Sequence, residues 1–449
     1  MPKPQSPQGQ EIYELDRAHV FHSWSAQAQL DPMVITDAEG PYLYDADGKR
    51  YTDLSCQLIY TNMGHKHPKI VEAVQKQAAE LCTIAPAVAN DKRGLAAKKI
   101  TDRLPEGINK VMFTNGGADA VENAIRMARL HTGRYKVLSR FRGYHGATHT
   151  ALTISGDNRR WAIDDASSGA VRYFGPFLYR TVFHSETEEQ ECARALEHLE
   201  NLIQFEGPNQ FAAFIMESIP GTAGIMPPPA NYWKGVREIC DRYGIVMICD
   251  EVMSGFGRTG AWFAFQHYGV TPDLVTFAKG VNSGYVPMGG LAISDKIAAA
   301  FDDVAYPGGL TYSGHPLAMA SAVAAIDAME NEGSIANAER LGREVIGPRL
   351  NAMKEKHPNI GEVRGLGCFW AIELVADRDT REPLSPYGQV NAQMKEILAE
   401  IKDRGVMVFS AQNRLHICPP LNIDDAVLVD ALDAIDEALS VTLGVGALV

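Results

Sequence analysis

Lys279 ends a short apolar segment, Leu274-Val-Thr-Phe-Ala-Lys279, and is followed by a glycine. Such a segment is typical of a buried strand. An amine at the end of a buried strand loses hydration, which lowers its pKa and makes the amine a usable nucleophile. The alternative is a lysine that reaches the surface where its strand stops, as most lysines do. The motifs that precede Lys279 bear on this choice.

Two acids, Asp250 and Glu251, directly follow the apolar segment Ile245–Cys249. Open α/β sheets bind their ligands at the carboxyl ends of such strands. An acid in this position, one strand before Lys279, could pair with a cationic ring nitrogen. A helix N-cap or a metal-binding aspartate is the alternative, although no phosphate-binding P-loop accompanies it.

Two glycine-bearing turns also follow strand-like segments. Gly116 and Gly117 precede a helical segment, where backbone N–H groups can bind an anion. Tyr144 lies in a glycine-flanked turn and could stack on a planar ligand. Alone, these motifs would indicate a tight turn and a packed aromatic. Together with Lys279 and Asp250 they predict a pyridoxal phosphate site, which needs a Schiff-base lysine, an acid and an anion cup.

The elements that must position these residues alternate between strand and helix over about residues 90–330. Near-continuous apolar strands separated by helices imply a mainly parallel sheet that is covered on both faces. Beyond residue 330 the helices are longer and the strands fewer, which indicates a smaller α+β domain. We therefore predict an N-terminal segment (1–60) that joins the small domain, a large cofactor-binding domain (61–330) and a C-terminal small domain (331–449).

Three local predictions accompany this division. Residues 1–12 are polar and proline-rich, which predicts a loosely attached terminus. Residues 145–185 are rich in glycine and polar side chains and lack periodicity, which predicts a long functional loop. Residues 338–356 have the pattern of one long helix.

The composition narrows the class of protein. The chain has 449 residues, 46% of them hydrophobic, and a net charge of −13, which argues against nucleic acid or an anionic membrane as the main partner. Its seven cysteines form no CxxC pair or zinc spacing, so they predict buried side chains in a reducing compartment and no metal site. Because the sequence has neither a secretory signal nor an apolar stretch of about 18 residues, we expect a cytoplasmic protein.

With these motifs in this order, the chain resembles the class III (subgroup II) pyridoxal-phosphate aminotransferases over roughly residues 20–440. The resemblance implies a fold-type I transferase, whose large domain holds a mainly parallel seven-stranded sheet and whose smaller α+β domain is built from both chain ends. The motifs that carry it are Asp250-Glu251-Val252, Gly255–Gly260, Pro272-Asp273, Lys279-Gly280, Pro287–Gly290 and Thr311–Pro316.

The resemblance also implies roles for the matched residues. Lys279 would bind pyridoxal phosphate as a Schiff base and shuttle the proton, while Asp250 would keep the ring nitrogen protonated. Thr311 would reach the phosphate of a neighbouring subunit, so we expect a homodimer or tetramer with its active sites at the subunit interface. Glu217 would pair with an arginine that binds a carboxylate. The other cofactor-binding residues are Tyr144 and Val252 on the two ring faces, Gly117 and Ala118 at the phosphate, and His145.

The chain departs from the family pattern at the cofactor phosphate and where the substrate binds. Ala118 replaces a residue whose hydroxyl reaches the phosphate. Phe409 occupies the position where many ω-amine enzymes have a mobile arginine. Arg414 is then the predicted partner of a substrate carboxylate or sulfonate, although it could be a surface residue of a strand. The remaining predicted substrate residues are Ile59, Tyr60 and Leu310.

The predicted function is therefore transamination by ping-pong chemistry. An amine, an ω-amino acid or taurine would donate its amino group, and pyruvate or 2-oxoglutarate would accept it. An aminomutase or racemase of the same superfamily would keep Lys279, Asp250 and Tyr144, and is the alternative. A non-catalytic binding protein would have no need to keep Lys279.

Overall fold

Seven strands form the largest sheet of the protein, which a computed structural model describes over residues 3–165 and 169–444. Gly289–Ser294 is antiparallel to both of its neighbours, and the remaining paired strands are parallel. The predicted seven-stranded, mainly parallel sheet is confirmed. From one edge to the other, the strands are Ile108–Thr114, Gly289–Ser294, Leu274–Ala278, Val246–Asp250, Phe211–Glu217, Lys136–Arg140 and Ala170–Tyr173.

Both faces of this sheet are covered, because its central strands are apolar along most of their length. Every residue of Phe211–Glu217 is buried, with Phe214 and Ile215 belonging to separate hydrophobic clusters on opposite faces. No helix in the described ranges has the length and apolarity needed to cross a membrane. The α-helices are Pro7–His19, Cys56–Ile59, Pro68–Glu80, Asp91–Thr101, Gly117–Thr132, His149–Ile154, Glu188–Glu206, Tyr232–Tyr243, Asp295–Ala298, Pro316–Asn331, Ser334–Leu341, Gly347–Lys356, Ala392–Asp403 and Asp425–Leu443.

One of two smaller sheets combines strands from both ends of the chain. Val406–Met407 pairs in parallel with Arg50–Asp53, so the C-terminal and N-terminal regions share one sheet. Domain boundaries at residues 60 and 330 remain a prediction. The four-stranded sheet contains Ile35–Glu39, Tyr42–Asp45, Arg50–Asp53 and Val406–Met407; the five-stranded sheet contains Ile360–Leu366, Phe369–Asp377, Arg414–Ile417, Phe409–Ala411 and, beside Phe369–Asp377, Glu382–Pro383.

Three local predictions were wrong. The described part of residues 1–12 includes the start of helix Pro7–His19, where the Ser6 hydroxyl accepts a hydrogen bond from Gly9 N–H at 3.2 Å. Residues 145–185 include the helix His149–Ile154 and the edge strand Ala170–Tyr173.

The predicted helix 338–356 is interrupted by a π-helical turn, Gly342–Ile346. This turn brings Gly342 so close to another segment that a Cβ there would lie 2.4 Å from the carbonyl oxygen of Gly367. Pro348, which follows this turn and has no N–H to donate to the preceding turn, also favours the interruption.

Candidate active site

A cavity of about 700 Å³ opens at the carboxyl edge of the large sheet. Glu217 and Asp250 end neighbouring strands, and Lys279 follows the end of the next one. The antiparallel strand begins at the same edge, because its Gly289 pairs with Thr114 on one side and Ala278 on the other. Two acids, an amine and the turn after Thr114 therefore meet in one place.

Lys279 is the amine of this cavity. Its backbone has a φ of 51°, in the left-handed region that side-chain-bearing residues rarely adopt. Among the described residues its Nζ has no hydrogen-bond partner. Burial lowers the pKa of Lys279, and the negative charges of Glu217 and Asp250 act in the opposite direction. The amine is therefore more readily neutral, and hence more nucleophilic, than a surface lysine.

Asp250 is held in a fixed orientation. Its Oδ2 lies 2.7 Å from Nδ1 of His145, while its Oδ1 accepts hydrogen bonds from Val252 N–H and the Thr276 hydroxyl, both at 3.1 Å. Only 3% of the side chain is exposed. The second ring nitrogen of His145 is buried with no partner in the described part of the chain. A rigid carboxylate of this kind suits a partner of fixed position, such as a ring N–H.

Glu217 accepts two backbone hydrogen bonds, from Tyr144 N–H at 3.0 Å and from Gly221 N–H at 2.8 Å. Burial raises its pKa, and nearby Asp250 raises it further, whereas His145 lowers it. Within the described residues no arginine hydrogen-bonds to Glu217. The predicted pairing with a carboxylate-binding arginine therefore stays a prediction.

The turn after Thr114 leaves backbone donors free. Helix Gly117–Thr132 has no side-chain cap, so the first-turn N–H groups of Gly117 and Ala118 are free of such a partner, and both residues line the cavity. A Cβ at Gly117 would lie 2.8 Å from a Val252 methyl group, so a larger residue would displace one wall. Uncapped donors on a long helix form a site for an anion such as a phosphate.

Arg159 was not predicted, although it faces the same cavity. Its guanidinium carbon lies 3.6 Å from the ring centroid of Tyr144, and its Nε donates to Asp157 Oδ1 at 2.6 Å. Its Nη2 is buried without a partner among the described residues. Arg159 falls in the 145–185 segment that was predicted to be functional, which was the one available signal. Trp24 lines the cavity too, and nothing in its sequence surroundings indicated this.

Comparison with known proteins identifies the family. Residues 24–439 match the family described as aminotransferase class-III. The chain belongs to the class III aminotransferases. These are transaminases that move an amino group from an amine to a keto acid with the help of pyridoxal phosphate. The predicted family, chemistry and cofactor are therefore confirmed.

Individual relatives of this aminotransferase differ in their substrates. A hypotaurine/taurine–pyruvate aminotransferase of Paracoccus denitrificans is 34% identical, over 96% of each chain. The solved taurine:2-oxoglutarate aminotransferase of Bifidobacterium kashiwanohense, in complex with PLP and glutamate, is 42% identical with a TM-score of 0.93, covering 96% of this chain and 97% of its own. An (S)-enantioselective ω-transaminase of Thermomicrobium roseum is 35% identical with a TM-score of 0.91, covering 96% and 98%.

The cavity of the aminotransferase fits its cofactor. An amine, a rigid acid and an uncapped helix start lie around one space, and Tyr144 and Val252 are on its wall. Within the described residues no group of three His, Cys, Asp or Glu side chains could hold a metal ion. The predicted site residues that line the cavity are Ile59, Tyr60, Gly117, Ala118, Tyr144, His145, Glu217, Asp250, Val252, Lys279 and Phe409.

Three predicted residues do not line the cavity of their own chain. Leu310 and Thr311 lie outside it, next to the exposed Tyr312. Arg414 is 3% exposed and donates to the side chains of Gln412, at 3.0 Å, and Asn413, at 3.3 Å. The role of Arg414 as the partner of a substrate anion therefore stays a prediction without a direct contact.

Proposed function

We propose that this aminotransferase takes its amino group from taurine or a similarly short ω-amino acid and passes it to pyruvate or 2-oxoglutarate. Two of the compared relatives are named for taurine, one with pyruvate and the other with 2-oxoglutarate as acceptor. The observation that carries the proposal is the position of Arg159. It lines the same cavity as Lys279, close enough for its charge to act on that amine, and so supplies a cation for the acidic end of a short donor.

Arg159 is the one arginine on the cavity wall among the residues that the structure describes. Phe409 lies on this wall at the position where many ω-amine enzymes have a mobile arginine, so no second arginine comes from that side. The unpartnered Nη2 of Arg159 is buried and would gain a charge-assisted hydrogen bond from a sulfonate or carboxylate. A simple amine would leave this guanidinium unsatisfied, which favours an acidic donor.

The residues of the cavity would have separate roles in transamination. Bound pyridoxal phosphate supplies an aldehyde that combines with amines and a ring that withdraws electrons. Lys279 would bind the cofactor and move the proton at the substrate carbon, which its lowered pKa favours. Asp250, oriented by His145, would hold the proton on the ring nitrogen. The N–H groups of Gly117 and Ala118 would bind the phosphate.

Two further residues would fix the ring of the cofactor. Tyr144 would cover one face of the cofactor ring, and Val252 would pack against the other face. The guanidinium of Arg159 stacks on the ring of Tyr144. Because Arg159 touches Tyr144, the position of the substrate anion is tied to the position of the ring.

The donor half-reaction tests the role of Arg159 without involving the acceptor carboxylate. The visible absorbance of the bound cofactor is followed after mixing the enzyme with taurine, or with propylamine as an uncharged-tail control. In Arg159→Gln we expect the rate with taurine to fall about tenfold or more, since a charged hydrogen bond is lost, and the rate with propylamine to hold. Arg160→Gln removes the neighbouring arginine, which is outside this cavity, and should leave both rates unchanged.

Other outcomes separate the rivals. If the wild-type enzyme reacts with propylamine but not with taurine, the acidic-donor proposal is wrong. If the amino group changes position or configuration on a substrate without any keto acid present, the enzyme is an aminomutase or racemase. Alanine and glutamate assays then identify pyruvate or 2-oxoglutarate as acceptor.

We also infer that the enzyme works in the cytoplasm as a homodimer or tetramer, in which Leu310 and Thr311 of one subunit complete the cavity of another. Both residues lie outside the cavity of their own chain, while Trp24 and Leu58 on its wall are 65% and 43% exposed. Apolar side chains that remain exposed at a cavity mouth favour a covering partner.

Mixing an impaired and an inactive variant tests the shared site. Thr311→Ala should weaken binding of the cofactor phosphate in the partner, and Lys279→Ala should inactivate its own subunit. After the two variants are unfolded and refolded together, heterodimers would contain one site with both residues intact, so activity should return. Refolded mixtures without activity, although sedimentation shows dimers, would contradict the shared site.

A further inference from the structure

A second cavity, of about 380 Å³, lies beside the strand Lys136–Arg140 and shares no lining residue with the first. Four arginines line it, at positions 140, 142, 160 and 180. Among the described residues no aspartate or glutamate is on its wall. The wall of this arginine cavity, as we name it, therefore carries cationic groups without acidic ones.

Two of these arginines are neutralised from outside the cavity. Arg160 forms an ion pair with Asp164, and Arg180 forms one with Glu373 at 2.6 Å. Each of these two guanidinium groups therefore has an acidic partner. The remaining two arginines differ in their contacts.

Arg140 and Arg142 have no acidic partner in the described part of the chain. Arg140 is 4% exposed, and its Nη2 reaches only the carbonyl oxygen of Pro176, at 3.5 Å, and the sulfur of Met226, at 4.0 Å. Arg142 donates from Nη2 to the carbonyl oxygen of Ala223 at 2.9 Å. Nη1 of Arg140 and Nε of Arg142 are both buried without a partner. Buried charges are normally paired, so two adjacent unpaired guanidinium groups indicate a missing anion.

The chain is shaped to hold these two side chains. A Cβ at Gly175 would lie 2.0 Å from Nε of Arg140, so only glycine leaves room for the guanidinium there. Arg142 has a φ of 66°, in the left-handed region, which directs it out of the regular path of the strand end. Burial is the main cause that lowers the pKa of Arg142 to about 9; the charge of Arg414 lowers it further, and the charge of Glu373 opposes this. Strain and crowding of this kind are typical of functional sites.

Aromatic side chains surround the entrance of the arginine cavity. Trp161 is 62% exposed, Phe174 45% and Tyr387 43%, although all three are large apolar groups. The ring centroids of Trp161 and Tyr387 are 6.1 Å apart, and those of Phe141 and Phe174 are 4.8 Å apart. An aromatic entrance above a cationic floor suits a ligand with an apolar planar body and one anionic group.

We propose that the arginine cavity binds a small aromatic carboxylate or sulfonate, with the acidic group against Arg140 and Arg142 and the ring among the entrance aromatics. Binding there would reach the active site through the main chain. Arg142 is two residues before Tyr144, and its hydrogen bond to Ala223 holds the turn whose Thr222 lines the first cavity. An occupied arginine cavity would therefore also change the rate of transamination.

Fluorescence of Trp161 tests this proposal directly on the intact holoenzyme. Benzoate and benzenesulfonate serve as probes, benzamide is the uncharged control and inorganic phosphate tests for a bare anion. We expect saturable quenching by the two organic anions, absent in Trp161→Phe, which separates this signal from that of Trp24 in the active site. Quenching by benzamide equal to that by benzoate, or saturable binding of phosphate instead of benzoate, would overturn the proposal.

Matched variants locate the site. Arg142→Gln should weaken benzoate binding about tenfold or more, because a charged hydrogen bond is lost, whereas Arg159→Gln in the first cavity should leave it unchanged. Tyr387→Ala, on the exposed entrance, should also weaken benzoate binding. This variant replaces Arg142→Gln in the test if Arg142→Gln does not fold. Equal affinity in wild type and both cavity variants, or a loss confined to Arg159→Gln, would refute the second site.

Discussion

The two halves of the active-site cavity are built in different ways. The cofactor half consists of strand ends, where Glu217, Asp250 and Lys279 lie side by side at one edge of a sheet. The proposed substrate half is assembled from distant segments, with Trp24 in a turn, Arg159 in the short 3-10 helix Asn158–Ala162 and Phe409 from the sheet near the C-terminus. The difference shows that the fold itself constrains the chemistry, whereas the choice of substrate depends on segments that can vary separately.

The contacts of two charged residues, one in each half, illustrate the difference between the cofactor half and the substrate half. Asp250 is almost fully buried and contacts three groups, from His145, Val252 and Thr276. Arg159 is anchored by one acid, Asp157, which is two residues away and caps the 3-10 helix Asn158–Ala162 that contains Arg159. Changes in the cofactor half should therefore abolish activity with every donor, while changes in the substrate half should redistribute activity among donors.

The largest effect should come from the proposed Schiff-base lysine. Lys279→Ala removes the amine of the cofactor half, so we expect turnover to fall about 10³-fold or more with all donors. The visible absorbance of covalently bound cofactor should be lost as well. Lys234→Ala, which removes an exposed lysine of helix Tyr232–Tyr243, is the control for a missing amine. Turnover close to wild type in Lys279→Ala would contradict the expectation that changes in the cofactor half abolish activity with every donor.

The next largest effect should come from Asp250→Asn, which keeps the shape of the side chain and removes its charge. We expect turnover to fall about 100-fold with acidic and neutral donors alike, because preorganised charge is lost beside the cofactor ring. Thr276→Val removes only one hydroxyl that donates to Asp250 and should have a much smaller effect. A loss confined to acidic donors would instead assign Asp250 to substrate recognition.

The cofactor half could be predicted because buried strands are recognisable as apolar runs. Once such a run is found, the residue that ends it is at the sheet edge, and this holds for Asp250 and Lys279. The antiparallel strand Gly289–Ser294 was not recognised as a strand, since it begins with two glycines, which weaken strand propensity. Its place in a seven-stranded sheet came from the family resemblance alone.

The substrate half could not be predicted in the same way. Arg159 lies in the 3-10 helix Asn158–Ala162, which is too short to give a periodic signal, and Trp24 lies far from the sheet in sequence. Arg414 was chosen because it was the nearest arginine in the C-terminal segment. In the structure it lies on a strand opposite Glu373, buried and outside the cavity lining. Proximity in sequence could not distinguish a residue on the cavity wall from one behind it.

A smaller effect, on cofactor affinity, should come from a steric clash in the cofactor half. Gly117→Ala would place a methyl group 2.8 Å from a methyl group of Val252, so we expect cofactor affinity to fall about tenfold. Gly116→Ala is a matched control, because its Cβ would meet no atom within 4 Å and its φ of −174° suits any residue. Equilibrium titration of the apoenzyme with pyridoxal phosphate measures both. Equal losses in the two variants would mean that the helix start, rather than the contact with Val252, sets the affinity.

The smallest effect, a shift rather than a loss, should come from Glu217→Gln. Burial lowers the pKa of Lys279, and the charge of Glu217 opposes this, so removing that charge should lower the pKa further. Because the neutral amine is the reactive form, the rising limb of the pH–rate profile for cofactor binding by the apoenzyme should move to lower pH. Glu197→Gln, an exposed residue of helix Glu188–Glu206, should not move it. An unmoved limb in Glu217→Gln would mean that Glu217, whose own pKa is raised by burial, is already neutral there. Asp250 would then be the acid that opposes the effect of burial on Lys279.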